Sequence, residues 1–229
     1  MSPDAGGPDP AGGQGLVSGI VLAGGRGERL GGDKLRLALD GRPLLQHAIL
    51  SLLPIVDRIV VAGPAEGQLP ELPEDLAGDL VVTRDVRTGL GPLAGAAAGL
   101  AAAEEVRALI VGGDQVALRP ELLAGLLGAA GGSSPAALVL AEEDGWRPLP
   151  CVVVRAPALA LARRRLDGPH RSLRGWLEAL GPTVVDETVW RAWDPDATWQ
   201  ADVDTPDDLA RAGRILRAWQ GARTGRARS

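Results

Sequence analysis

Gly19-Ile20-Val21-Leu22-Ala23-Gly24-Gly25-Arg26-Gly27-Glu28-Arg29-Leu30-Gly31-Gly32-Asp33-Lys34 is the stretch that decides the fold. Its apolar opening, Gly19 to Ala23, reads as a strand buried on both faces, and it breaks at Gly24-Gly25. Glycines at the carboxyl end of such a strand let backbone N–H groups approach a phosphate chain, in the crevice where open parallel sheets bind ligands. Arg26, Arg29 and Lys34 are spaced to neutralise a triphosphate there. A Walker A loop is excluded, because Asp33 precedes Lys34 and Leu35 follows it. A dinucleotide fingerprint is excluded as well, since Leu30 stands where the third glycine is required. An ordinary flexible loop is the competing reading.

Outward from this stretch, β and α signals alternate. Pro43 opens a helix carrying Leu44, Leu45, Ala48, Ile49 and Leu52 after the turn Asp40-Gly41. Ile59 to Val61 and Leu80 to Val82 read as strands, with residues 63–79 combining loop and a poor helix. Pro92 to Ala103 is a small-residue helix, Ala108 to Val111 a strand ending at Gly112-Gly113-Asp114, and Pro120 to Ala130 a helix before the turn at 131–135. Strands at 137–140 and 150–154, helices at 157–166 and 172–180, and a last helix from Pro206 to Trp219 complete the pattern. The expected fold is α/β, a three-layer sandwich with a mostly parallel central sheet flanked by helices. Residues 1–16 read as a disordered tail, 17–220 as one domain and 221–229 as a disordered basic tail.

The 229 residues carry a net charge of −5, the wrong sign for a protein whose main partner is duplex nucleic acid. No apolar run approaches the ~20 residues needed to span a bilayer, and the first sixteen residues have no signal-peptide pattern. One cysteine and two histidines exclude an intrachain disulfide and argue against a zinc site. A cytoplasmic location is the expectation. Phe, Tyr and Asn are absent, and a single Lys stands among 23 Arg, a skew that fits genomic GC pressure. The sole lysine therefore lies in the glycine-rich loop, where a compact point charge and a planar fork are not equivalent.

Two carboxylate positions complete the candidate site. Asp114, at a strand end, points into the same crevice and suits Mg²⁺ against phosphates, with a turn aspartate as the alternative. In Asp202-Val203-Asp204-Thr205-Pro206-Asp207-Asp208, helix capping alone explains Thr205 through Asp208, which leaves Asp202 and Asp204 for function. Trp146, beside Arg147, is a candidate platform for a planar acceptor, with packing the alternative. His47 reads as a packing or surface residue, and Arg163-Arg164-Arg165 as a solvated helix face.

The order LAGGRGERLGGDK, then RD with GLGPLAG, then Asp114, then DVDTPDDL, resembles nucleotidyltransferases with a GT-A-like Rossmannoid fold, and among them the molybdenum cofactor guanylyltransferases. Arg171-Ser172-Leu173-Arg174 is similar to another segment of that family. The resemblance runs from about Val17 to Gly213. It implies GTP and a molybdopterin-type acceptor as substrates, Mg²⁺ as cofactor, and molybdoenzyme maturation proteins as partners. It places Leu22, Ala23, Gly24 and Gly25 at the nucleotide, Lys34 at its phosphates, Asp85 at the guanosine, and Asp114 at both GTP and Mg²⁺, with Lys34, Arg26 and Asp114 catalytic. Ala62 stands where the family often has Asn, and Asp202 and Asp204 replace a common Asn pair. An added carboxylate beside a triphosphate repels it unless metal is near, so Asp204 is expected to be a second metal ligand. Cytidylyl transfer to the same cofactor, nucleotidyl transfer to a sugar phosphate, and a non-catalytic binding module are the alternatives.

Overall fold

A computed structural model describes residues 16–24, 34–64, 68–70, 72, 80–84, 90–130 and 135–226, with side chains described as far as Trp219. Strand β1 (Val17–Leu22) is buried throughout, as expected of a run with no polar face. A short hairpin, β2 (Ala38–Leu39) and β3 (Arg42–Pro43), turns at Asp40-Gly41, both at positive φ, as an Asp-Gly turn that matches strand twist requires. Helix α1 (Leu44–Leu52) follows with Pro43 at its N-cap. Next come β4 (Arg58–Gly63), β5 (Leu80–Arg84), α2 (Pro92–Ala102), β6 (Arg107–Gly112), α3 (Pro120–Ala129), β7 (Ala137–Glu142), β8 (Gly145–Val154), α4 (Arg155–Leu166) and α5 (Leu173–Leu180). The chain ends with β9 (Thr183–Val185), α6 (Glu187–Trp190) and α7 (Pro206–Arg226).

The seven-stranded sheet has the order β5-β4-β1-β6-β8-β7-β9. β5, β4, β1 and β6 are mutually parallel, β8 is antiparallel to both β6 and β7, and β9 is parallel to β7. Only β8 runs against the rest, so the sheet is mostly parallel, as the alternating pattern requires. The chain leaves β1 towards β4 and β5 and returns on the other side as β6. The strand order thus reverses between β1 and β6, and the crevice beyond their carboxyl ends is the topological switch point.

One face of the sheet is covered by α1, α3 and α6, packed through Leu45, Ile49, Leu122, Leu126 and Trp190. The other is covered by α2, α4 and α5 through Leu93, Leu100, Ala158, Ala162 and Trp176. α2 approaches closely: a Cβ on Gly99 would lie 2.5 Å from Ile20 Cγ2. A third cluster seats α7 by joining Leu39 and Leu44 to Val203, Ala212 and Leu216.

The structure corrects the sequence reading at several points. α7 continues through Arg226, so residues 221–226 are helical rather than a disordered tail; no proline interrupts them. β9 and α6 fall between Leu180 and Pro206, where the sequence pattern assigned no element. The β8 strand begins at Gly145, five residues ahead of the expected Pro150, because it pairs with β7 across the Glu142–Gly145 turn. The poor helix expected within 63–79 and the turn at 131–135 lie mostly outside the described residues. Trp176, Trp190 and Trp199 are buried, in line with a packing role; Trp176 Nε1 donates to the Ala158 carbonyl and Trp190 Nε1 to that of Ala141.

Candidate active site

The site is built where β1 and β6 end. Ala23 N–H donates to the Ala62 carbonyl at 2.8 Å and Gly113 N–H to that of Leu22 at 3.0 Å, which ties the exits of β1, β4 and β6 together. A Cβ on Gly112 would lie 2.7 Å from Asp114 Oδ1, so glycine at 112 leaves room for that carboxylate. Gln115, buried, accepts from Gly112 N–H at 2.9 Å and donates to the Leu149 carbonyl on β8 at 3.3 Å. Its backbone also bridges to Asp202, and so joins the β6 exit to the acidic segment ahead of α7.

Lys34 opens a short 3₁₀ turn, Lys34–Arg36. Its ammonium lies 2.7 Å from Asp114 Oδ2 and 2.6 Å from Asp204 Oδ1, with only 12% of the side chain exposed. Burial works to lower the lysine pKa, but the hydrogen bonds to Asp114 and Asp204 and the charges of both carboxylates outweigh it, and the net direction is up. Asp204 is held from behind: its N–H donates to Asp208 Oδ2 at 3.2 Å. Asp208 and Thr205 exchange hydrogen bonds, 2.9 Å from Thr205 N–H and 3.2 Å from Asp208 N–H, which is the reciprocal cap expected of a helix start. The hydroxyl of Thr205 also donates to Asp208, and chiefly through this bond the Asp208 pKa is lowered.

Arg147 and Asp202 form the second shelf of the crevice. Arg147 Nε donates to Glu142 at 2.9 Å, and Nη1 donates to Asp202 Oδ2 at 3.0 Å and to the Gln200 carbonyl at 3.2 Å. Burial, then the charge of Asp114, push the Asp202 carboxyl up to about 6, against the pull of Arg147. Its Oδ1 is buried without a well-formed hydrogen bond, although the Gln115 amide is near enough to hold the pKa down in part.

The expected residues therefore come together in part. Leu22, Ala23 and Gly24 lie at the β1 exit, and Lys34, Asp114 and Asp204 meet directly. Gly25, Arg26, Arg29 and Asp85 lie outside the described residues. Asp202 faces Arg147 rather than Lys34. Trp146 carries the Arg174 guanidinium 4.3 Å from its ring centroid, and Arg174 also donates to the Trp146 carbonyl at 2.9 Å. His47 Nε2 hydrogen-bonds the Leu39 carbonyl at 2.8 Å, which ties α1 to the β2–β3 hairpin. Gln115, Arg147 and Glu142 are polar members of the site that sequence reasoning did not single out as such.

The donor chemistry suits a hard divalent cation. Asp114 and Asp204 offer carboxylate oxygens around one point, and Mg²⁺ is typically held by one or two carboxylates, with water and phosphate oxygens completing its shell. Among the described residues no group of three or more His, Cys, Asp or Glu forms an all-protein cage.

The model of the MobA-like NTP transferase domain matches residues 19–184, from β1 to β9. The chain belongs to this family. Among curated relatives, the probable molybdenum cofactor guanylyltransferase of Chloroflexus aggregans is 31% identical over 210 residues, 90% of this chain and 96% of the relative. The molybdenum cofactor guanylyltransferase of Ectopseudomonas mendocina is 32% identical over 194 residues, 84% and 90% of the two chains. The solved structure of molybdopterin-guanine dinucleotide biosynthesis protein A from Archaeoglobus fulgidus superposes with a TM-score of 0.72 at 23% identity, covering 88% of this chain and 99% of that one. A Thermus thermophilus 2-C-methyl-D-erythritol 4-phosphate cytidylyltransferase shares the fold at TM-score 0.62 and 20% identity, with 86% and 98% covered. As a MobA-like protein the chain is a nucleotidyltransferase, and no helix among its described residues is long and apolar enough to cross a membrane.

Proposed function

We propose that this protein transfers GMP from GTP to the terminal phosphate of a molybdopterin-type acceptor in the cytoplasm, with Mg²⁺ and with release of pyrophosphate. The observation that carries this reading is the Lys34 ammonium gathered with Asp114 and Asp204 at the switch point of the sheet, in a chain whose curated relatives are named for guanylyl transfer to the molybdenum cofactor. An acceptor phosphate oxygen forms the new bond to the α-phosphorus, the bond to the bridging oxygen breaks, and pyrophosphate leaves with the electron pair. The nucleophile is already ionised at neutral pH, so no general base is required. That agrees with a site in which the described polar groups are a lysine, an arginine, a glutamine and carboxylates.

In this reading Leu22 to Gly25 present backbone to the nucleotide, and Asp85 takes the guanosine. Lys34, Arg26 and Arg29 neutralise the phosphates. Asp114 and Asp204 hold Mg²⁺, which when bound neutralises charge on the phosphate oxygens. Catalysis is then positioning plus charge stabilisation. Pyrophosphate release measured with GTP, CTP, ATP and UTP in the presence of Mg²⁺ and a molybdopterin acceptor should favour GTP. Lys34→Ala should lower kcat about 10²- to 10³-fold at saturating GTP, the loss seen when one transition-state donor is removed. Preference for another nucleotide would refute guanylyl transfer, and a wild-type rate in Lys34→Ala would remove Lys34 from the chemistry.

A further inference from the structure

The two carboxylates that hold Lys34 are fixed to rigid elements. Asp114 sits on the turn after β6, locked by the Gln115 side chain, and Asp204 is tied by its backbone to the cap of α7. Lys34 reaches them on a four-carbon stem, so the ammonium is the partner able to move. Its nitrogen lies 2.7 Å from one oxygen and 2.6 Å from the other, and so bridges carboxylates carried by two separate elements. A magnesium ion held by the same two oxygens would need them at about 2.0–2.1 Å, closer than the ammonium's own contacts, and would meet its positive charge. One cation at a time fits the pair.

Resting on the metal and nucleotide site of the preceding reading, we propose that Asp204 is a positioning residue for Lys34. With Asp114 it holds the ammonium as a resident counter-ion in the place a divalent cation takes, so that ammonium and cation are alternative occupants. Lys34 then moves to the nucleotide phosphates as the cation enters. The unliganded carboxylates are kept from repelling each other, and the charge that neutralises phosphate is stored one side-chain swing away.

The test needs no nucleotide and no turnover. Mn²⁺ alone is titrated into the full chain and followed by the loss of the free-ion EPR signal, for wild type, Lys34→Gln and Arg147→Gln, each checked for folding by its thermal melt. Lys34→Gln should bind Mn²⁺ about tenfold more tightly, a conservative share of what a neighbouring positive charge costs at protein-surface dielectric. Arg147→Gln removes an equal charge that contacts Asp202 rather than the pair, and should raise affinity clearly less than Lys34→Gln does, because Coulomb energy falls with distance. Equal affinity in Lys34→Gln and wild type overturns the proposal, as does an equal gain in Arg147→Gln. Since Lys34 is the only lysine, a ¹⁵Nζ-lysine label gives one ammonium resonance. Asp204→Asn should shift it and speed its proton exchange; an unchanged resonance overturns the positioning role. If GTP turnover is absent while these readouts hold, guanylyl transfer fails and the exchange stands. If turnover is normal while they fail, the reverse is true.

Discussion

Asp202 shows how one residue can be shaped by a site without touching its central cation. Its carboxyl is pushed from 3.8 to about 6, first by burial and then by the charge of Asp114. A raised carboxyl pKa means that the folded chain holds this proton more tightly than the unfolded chain does. The penalty for ionising is absent below the ordinary value, grows between about pH 4 and 6, and is complete above the folded pKa. Asp202→Asn cannot ionise and can still accept from Arg147. Its Tm relative to wild type should therefore rise as pH goes from 4 to 7.5. The side chain is 36% exposed, so solvent reduces the effect, and a gain of about 2 °C is expected for a chain of this size. Differential scanning fluorimetry at both pH values measures it, and a difference independent of pH would contradict the assigned environment. Lys34 stands at the other extreme of legibility. A lone lysine among arginines within a glycine loop marked it from sequence, whereas its second partner, Asp204, lies 170 positions away and only the fold brings them together.

At the scale of the element, the β6 exit explains why Gly112-Gly113 precedes the carboxylate. A Cβ at 112 would stand 2.7 Å from Asp114 Oδ1 and 3.2 Å from Gln115 Cγ, and one at 113 would stand 3.0 Å from the Leu22 carbonyl. Gly112→Ala must turn the Asp114 side chain or shift the turn, while β6 and its pairing with β1 keep their register. The expected outcome is a drop in kcat of about tenfold or more, the cost of misplacing a reacting group by a fraction of an ångström, with a Tm close to wild type. Activity equal to wild type would show that Asp114 tolerates the displacement. Elements with an apolar period, such as β1, β4, α1 and α7, were legible because the core reads one face or both. β9 was not, since three residues at a sheet edge carry too little alternation to register. Gln115 was not legible for a related reason: a buried polar side chain gains meaning only from the Gly112 and Leu149 groups it satisfies, and neither is set by local pattern.

For the molecule as a whole, α7 and the segment before it must be locked onto the sheet, because Asp202 and Asp204 enter the site from there. Arg119, at the start of α3, performs much of this locking. Its Nε lies 3.0 Å from Asp194 and its Nη2 2.7 Å from Asp196, while its guanidinium stands 4.8 Å from the Trp219 ring centroid on α7. Asp194 is fully buried; it accepts from the Thr198 hydroxyl and from Trp199 N–H, and Arg119 supplies the positive charge beside it. Truncating one partner of such a pair strands a buried charge. Because Arg119 is itself 25% exposed, Arg119→Ala should cost about 2–3 kcal/mol, somewhat below the ~3–5 kcal/mol of a fully buried pair. Adding Asp194→Asn removes the stranded charge, so the double variant should recover part of that loss in urea unfolding. Strict additivity of the two substitutions would instead mean that the pair is not coupled. Loss of the lock should also weaken nucleotide-dependent stabilisation, since the acidic segment reaches Lys34 only when α7 is seated.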